Sequence, residues 1–330
     1  MIRMPGQSFV GPPPRLNAYE RMVREGLRRD IHHLAGTIGQ RNIGNAYANL
    51  NLAREWLSTE LATLGFEVRE LEYEADGRTV ANIVAEIPGT TRPDEIAILG
   101  AHYDSWLGGP GANDNGSGVA ATLAIARAFA ERATNRTLRF AFFVNEEGPY
   151  FKTDLMGSRV YARACRAQNE NIVAMMNLDT IGCFLDDPGS QRYPPPFGVG
   201  RPTIGNFIAF IGNYGSVRLT RRVVGLFRKY AKVPSQGAVL PGTVPGSGFS
   251  DQWSFWMEGY PGVLVSDTGP YRHPEYHSPD DLPDTIDYDR LTLVTIGLQR
   301  VGETALADDG SFESNPASGG AATAGLATDR

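Results

Sequence analysis

The chain has 330 residues, 31 basic and 37 acidic side chains, a formal net charge of −6 and 42% hydrophobic residues. That length and apolar content suffice for a substantial buried core, so a wholly disordered chain is excluded. The basic residues are 28 Arg and only three Lys (Lys152, Lys229, Lys232), scattered rather than gathered into a stripe, which argues against nucleic acid as a partner.

In chain order, two amphipathic patterns come first, Leu16 to about Leu34 and Ala46 to about Leu64, the second stopped by Gly65. The text then turns strand-like at Glu67–Tyr73 and Thr79–Ile87, breaks at Pro88-Gly89-Thr90, and resumes in the apolar run Ile96–Gly100. A Gly/Pro/Asn loop extends to about Gly118. Small and apolar residues at Val119–Ala130 predict a helix, followed by the strand Leu138–Val144, a helix at Ser158–Ala167 and the strand Ile172–Leu178. A Pro-rich loop, Asp187–Pro202, precedes the strand Phe207–Ile211 and the helix Ser216–Tyr230. After the long connection Val233–Ser247 come a short helix Asp251–Met257, the strand Gly262–Val265 and a closing helix Tyr288–Ala305. The alternation predicts an α/β chain with a doubly wound, mostly parallel mixed sheet and helices on both faces. Residues 1–305 read as one domain, with 1–65 as N-terminal helices packed on it and 306–330 as a polar disordered tail.

No stretch approaches the ~18 apolar residues of a membrane span, and the opening residues lack the apolar run of a secretory signal. The compartment stays open between cytoplasm and export after leader removal, as do the oligomeric state and the question of whether Cys165 and Cys183 pair. Both cysteines read as buried or idle thiols, since no C-x-x-C pattern is present.

In doubly wound sheets, ligands bind at the carboxyl ends of the strands. The first buried strand runs into His102-Tyr103-Asp104, and the loop after it carries Asp114. The next strands end in Asn145-Glu146-Glu147 and in Asn177-Leu178-Asp179, while the last loop holds His273 and His277. Each alone reads as a turn or a helix cap. Together they place His and carboxylates at one sheet edge, where buried carboxylates are costly unless a cation satisfies them. Two His and three carboxylates form a two-metal inventory suited to zinc and tolerant of cobalt or manganese. One carboxylate would bridge ions ~3.5–4 Å apart, leaving one of Glu146 and Glu147 as a proton shuttle.

The ordered motifs GAHYDS at Gly100–Ser105, GANDNGSGVA at Gly111–Ala120, FFVNEEG at Phe142–Gly148, GSRVYA at Gly157–Ala162, MNLDTIG at Met176–Gly182, FSDQWSFW at Phe249–Trp256 and YHSPDD at Tyr276–Asp281 carry a resemblance. From about Ala46 to Ala305 the chain resembles the co-catalytic di-zinc aminopeptidases of the bacterial leucine-aminopeptidase type. Relatives of that family include glutamate carboxypeptidase, glutaminyl cyclase and the transferrin receptor ectodomain. The resemblance implies a zinc-peptidase (phosphorylase/hydrolase-like) fold. It also implies removal of an N-terminal residue from peptides with a free N-terminus, by a hydroxide bridging two zinc ions. It makes His102 and Asp179 ligands of one zinc, Glu147 and His277 ligands of the other, Asp114 the bridge and Glu146 the general base. Asp104 becomes the carboxylate that fixes the His102 tautomer, and Tyr276 the phenol that helps hold the oxyanion.

The family's Ser-Asp-His-x-x-Phe reads Ser250-Asp251-Gln252-Trp253-Ser254-Phe255 here, which puts a role for Gln252 in doubt and leaves Asp251 between a site-edge residue and a helix cap. His273 is expected to be a loop surface residue, and His32 and His33 structural or solvated. The two long connections are expected to wall a substrate pocket, with Trp253, Tyr271 and Phe184 as apolar lining. A glutaminyl cyclase-like acyltransferase is the alternative enzyme, though that branch characteristically has Trp where Tyr276 stands. A catalytically dead binding module would be expected to have lost ligands or the base, and this chain keeps all six.

Overall fold

The structure is a computed structural model and describes residues 2–306, so the predicted polar tail lies outside the described residues. The two N-terminal patterns form α1 (Ala18–Ile31), opened by a reciprocal Asn17/Glu20 capping box, and α2 (Tyr47–Thr63), with a π-helical turn His32–Ile38 extending the first. Between and after the crossover helices run eight strands: β1 (Val68–Ala75), β2 (Arg78–Ile87), β3 (Gly89–His102), β4 (Thr134–Phe143), β5 (Asn171–Leu178), β6 (Ile208–Gly212), β7 (Ser235–Val239) and β8 (Gly262–Ser266). They form one sheet in the order β1-β2-β4-β3-β5-β8-β6-β7. The β3/β4, β3/β5, β5/β8 and β6/β7 pairs are parallel, and β1/β2, β2/β4 and β6/β8 are antiparallel. β7 was not expected: its sequence, Ser-Gln-Gly-Ala-Val, lies inside the connection Val233–Ser247 and shows neither alternation nor a run of β-branched residues.

Both faces of the central strands are covered, which is why they read as unbroken apolar runs. Along β3, Ala97, Leu99 and Ala101 face one core, while Ile96 and Ile98 face the other. Along β4, Phe140 and Phe142 go to the first core and Ala141 and Phe143 to the second. Helix α3 (Gly118–Phe129), which joins β3 to β4, packs into the first core. Helix α4 (Gly157–Ala167), which joins β4 to β5, packs into the second. The chain therefore leaves the two sides of β3 on opposite faces, and the crevice at the carboxyl end of β3 is the topological switch point. Three more helices complete the layers: α5 (Val217–Tyr230), the short α6 (Gln252–Met257) and α7 (Tyr288–Val301).

The buried charge in β4 is paired. Arg139 bonds Glu86 at 2.9 Å, Glu170 at 2.8 Å and the Tyr161 hydroxyl at 2.6 Å. Cys165 and Cys183 are both free and buried.

Phe140 is fully buried between Phe66, with ring centroids 5.8 Å apart, and Phe129, at 6.5 Å. Phe140→Ala is expected to destabilise the fold by about 3–5 kcal/mol, read as a lowered urea midpoint at unchanged slope. A loss below about 1 kcal/mol would show that the neighbouring rings collapse into the space.

Candidate metal centre

His102 is the last residue of β3, Glu146 and Glu147 lie just past β4, and Asp179 follows β5 directly. Asp114 comes from the turn Ala112–Ser117 that opens α3. That turn leaves no room for larger residues. Gly111 has φ +62°, and a Cβ there would lie 2.1 Å from the Asp114 carbonyl oxygen. A Cβ on Gly118 would lie 2.2 Å from the Leu178 carbonyl oxygen. His277 arrives from the loop after β8 with φ +53°, a left-handed conformation that costs a non-glycine residue about 1 kcal/mol or more.

These side chains converge. The Nε2 of His102 lies 3.3 Å from Asp114 Oδ1 and 3.7 Å from Asp179 Oδ1. The Nε2 of His277 lies 3.2 Å from Asp114 Oδ2 and 3.1 Å from Glu147 Oε2. Two groups with metal-ligand chemistry result, His102/Asp114/Asp179 and Asp114/Glu147/His277, and Asp114 offers one oxygen to each. Ligand atoms about 2.0–2.1 Å from a tetrahedral ion lie roughly 3.3 Å apart, so the spacing fits zinc. The hydrogen-bond inventory agrees: His102 Nε2, Glu146 Oε1 and Glu147 Oε1 are buried and have no hydrogen-bond partner. Buried polar atoms are normally satisfied, and a cation would satisfy these.

Electrostatics says the same. Burial, reinforced by Asp179 and Glu147, pushes the Glu146 carboxyl well above the usual range. Burial and then Asp114 push Glu147 to about 7, and burial raises Asp179. Against its own burial, Asp114 is held well below the usual range by His102 and His277. The carboxylates are thus short of positive charge.

Three other carboxylates at the same edge already have donors, whereas both oxygens of Asp251 are buried without one. Asp104 lies 3.3 Å from His102 Nδ1 and accepts the backbone N–H groups of Glu146 and Glu147, each at 3.2 Å. It therefore ties the ends of β3 and β4 together beside the imidazole. Asp281 accepts the N–H groups of Asn113 at 2.8 Å and Asp114 at 3.0 Å. Asp267 accepts from Asn113 Nδ2 at 2.9 Å, the Cys183 N–H at 2.8 Å, the Gly269 N–H at 3.0 Å and the Thr180 hydroxyl. Sequence reading assigned roles to neither Asp267 nor Asp281. Asp267 stands right after β8 and falls under the same strand-end rule that found Asp179.

Two aromatic rings flank His277. Tyr276 stacks on it at 4.0 Å and 13°, and Trp106 at 5.7 Å and 7°. Nothing in the sequence pattern singled out Trp106. Burial pushes the Tyr276 phenol well above its ordinary pKa, so it stays a hydrogen-bond donor at neutral pH.

Some expectations are corrected. His273 is not a surface residue: it is 3% exposed, with Nδ1 3.4 Å from Asn113 Nδ2 and Nε2 3.4 Å from Glu275. Asp251 is fully buried and makes no side-chain cap on α6; burial raises its carboxyl to about 7, with Asp179 and Asp104 adding to the rise. Gln252 is structural, its amide donating to the Ser247 carbonyl at 3.0 Å. His33 packs on Trp56 with centroids 5.0 Å apart, and His32 faces Tyr288 at 6.4 Å.

Beside Asp179 and Tyr276 opens a cavity of about 120 Å³. The Pro-rich loop contributes Tyr193 and Phe197 to its wall, and the segment from β7 onward contributes Ala238, Leu240 and Val244. Tyr271 lines it as expected, but Trp253 and Phe184 are absent from its wall. Trp253 instead lies under the ammonium of Lys152 at 5.4 Å, and Phe184 under the Arg272 and Arg290 guanidinium groups.

Residues 82–299 match the model of peptidase family M28. The Escherichia coli uncharacterized protein YfbL is 31% identical over 283 residues, covering 83% of this chain and 86% of that one. A probable leucine aminopeptidase of Trichophyton verrucosum is 29% identical over 291 residues, covering 82% and 70%. Among solved structures, LapB of Legionella pneumophila superposes with a TM-score of 0.68 at 20% identity, over 93% of this chain and 79% of that one.

If the ligand groups hold metal, stripping it from loaded protein with a strong chelator lowers Tm. An ion present at 100 times its Kd contributes about 2.7 kcal/mol. Because the ligands must be deprotonated, affinity is expected to weaken as pH falls. Scanning calorimetry with and without chelator checks both, and a Tm indifferent to chelator counts against the site.

Proposed function

The chain belongs to peptidase family M28, and from that premise we propose that it is a zinc-dependent aminopeptidase that removes an apolar N-terminal residue from peptides with a free N-terminus. One observation carries the reading: Asp114 is shared between two ligand groups, and Glu146, at the same centre, belongs to neither. His102 and Asp179 would hold one zinc, His277 and Glu147 the other, and Asp114 both. Zinc there supplies Lewis-acid polarisation of a carbonyl and a nucleophile available at neutral pH. Cobalt or manganese would be tolerated by the same N and O ligands.

The chain's own groups do the rest. Glu146, with Oε2 3.8 Å from His102 Nε2, is placed to take a proton from the attacking water and return it to the leaving amine. Its burial favours proton uptake, which suits a group that must carry a proton between two steps. Tyr276 keeps its phenolic proton and, beside His277, can donate to the oxyanion that develops on the carbonyl. Asp104 acts through His102, fixing its ring, and is a positioning residue. The cavity beside Asp179, walled by Phe207, Leu264 and Tyr271, fits an apolar side chain, and the substrate's α-amine would sit among the unsatisfied carboxylates.

Hydrolysis of aminoacyl arylamides, each free and N-acetylated, tests the reading. Zinc-loaded wild type is expected to cleave only the free-amine series, with apolar residues preferred. Glu146→Gln is expected to lose about 10²–10⁴-fold in kcat. Absence of cleavage by zinc-loaded protein would sink the aminopeptidase reading and direct the search to glutaminyl cyclisation.

Metal stoichiometry tests the bridge separately. Native mass spectrometry is expected to show two zinc ions in wild type, one in Asp179→Asn or Glu147→Gln, and the largest loss in Asp114→Asn. One zinc in wild type, with Glu147→Gln unaffected, would remove the second ion from the proposal.

A further inference from the structure

Arg41 lies between the π-helical turn His32–Ile38 and α2, outside the residues that match the family. It is fully buried, and among the described residues no carboxylate pairs with it. Its guanidinium spends its donors on backbone carbonyls instead. Nε donates to Tyr103 at 2.6 Å, Nη2 to Gly111 at 3.0 Å, and Nη1 to Gly39 at 3.2 Å and to Pro110. Its own backbone is stitched to the same loop, the N–H donating to Ser105 Oγ at 3.1 Å and the carbonyl accepting from the Ser105 N–H at 2.8 Å. Tyr103 directly follows His102, and Pro110 and Gly111 lead into the turn that carries Asp114.

We propose that Arg41 is a positioning residue of the metal centre, a buried fork that fixes the His102 segment relative to the Asp114 turn. This inference rests on the metal-binding reading above.

The chemistry favours arginine specifically. Four carbonyl oxygens converge on one side chain from segments 39, 103 and 110–111, and only a planar group with five N–H donors can meet them together. A lysine ammonium has three donors on one atom and cannot span them. Burial lowers the Arg41 pKa to about 10, with Asp104, Asp281, Asp114 and Glu147 opposing that fall, so the group is charged at neutral pH. Carbonyl acceptors leave that charge unneutralised, and its field is directed at the carboxylate-rich edge. The spacing at stake is small. His102 Nε2 and Asp114 Oδ1 are 3.3 Å apart, and a shift of half an ångström between their segments would take one of them out of reach of a shared ion.

The test uses the full chain as Arg41→Lys and Arg41→Met. Folding is checked by circular dichroism, and zinc affinity is measured by competition with a chromogenic chelator. Both variants are expected to bind zinc about 10- to 100-fold more weakly, and loaded Arg41→Lys to lose kcat with little change in KM. A purely structural clamp would lower Tm and leave zinc affinity as in wild type, and that result in a folded variant overturns the proposal. Should neither variant fold, hydrogen exchange on the wild type decides. Zinc loading is expected to slow exchange at residues 39–45 as well as at 102–114, because coupling between the two is reciprocal. Unchanged exchange at 39–45 in zinc-loaded protein overturns it. A wild type that binds no zinc overturns the metal reading itself, a result distinct from both of these.

Discussion

The rest of the site depends on the mutual repulsion of carboxylates buried at one edge of the sheet. Asp114, Glu146 and Glu147 are buried and Asp179 is nearly so, gathered around the buried His102 and around His277, a third of whose side chain is exposed. Like charges in a medium of low dielectric repel strongly, and each ion pays a desolvation cost of several kcal/mol before any partner is counted. Such a cluster is resolved by proton uptake, the direction in which burial pushes Glu146 and Glu147, or by a cation. The two His cannot do so alone, since His102 is shared among four carboxylates and His277 between two.

Hydrogen bonding sorts the acidic residues of this edge into two kinds. Asp267 and Asp281 have their oxygens occupied by backbone and side-chain donors, so they are complete as they stand. They act as struts: Asp281 holds the turn that presents Asp114, and Asp267 holds Asn113 and the start of the segment after Thr180. Asp104 is a strut as well, joining the β3 and β4 ends through two backbone amides. The carboxylates left without such donors are those that form the two ligand groups, plus Glu146 and Asp251, the latter with both oxygens buried and unpaired. For Asp104, Asp267 and Asp281, occupied oxygens mark a scaffold role.

Much of this was legible in the sequence because strand ends are legible. Apolar runs of four to eight residues announced β3, β4, β5 and β8, and the polar residues directly after them gave His102, the Glu pair and Asp179. The motif series then distinguished His277 from His273 and Glu147 from Glu146, a choice that spacing alone left open. Harder to read was whatever depends on the path of loops. His273 reads as a loop surface residue because the motif favours His277, yet the loop folds it against Asn113. Trp253 and Phe184 are aromatic and near the site in sequence, but Trp253 lies under Lys152 and Phe184 under Arg272 and Arg290. β7 is an edge strand held by β6 and carries no apolar alternation, so its pairing is a tertiary fact.

Topology explains why one edge can host both a cation cluster and an apolar cavity. The chain passes from β3 to β4 over one face and from β4 to β5 over the other, so the loops after β3 splay apart and leave a crevice. His102, Glu147 and Asp179 line the crevice because they stand at or just past the ends of the strands that form it, while Asp114 and His277 reach it from loops. On its β8 side the sheet reverses at the antiparallel β8/β6 pair, and the loops there cannot close over the same edge. The Pro-rich loop and the segment around β7 fill that gap from outside, with apolar side chains directed inward. The cation cluster and the apolar cavity thus draw mostly on different parts of the chain and meet at Asp179 and Tyr276. The first draws chiefly on the ends of β3, β4 and β5, and the second on the connections around β6 and β7 together with those strands.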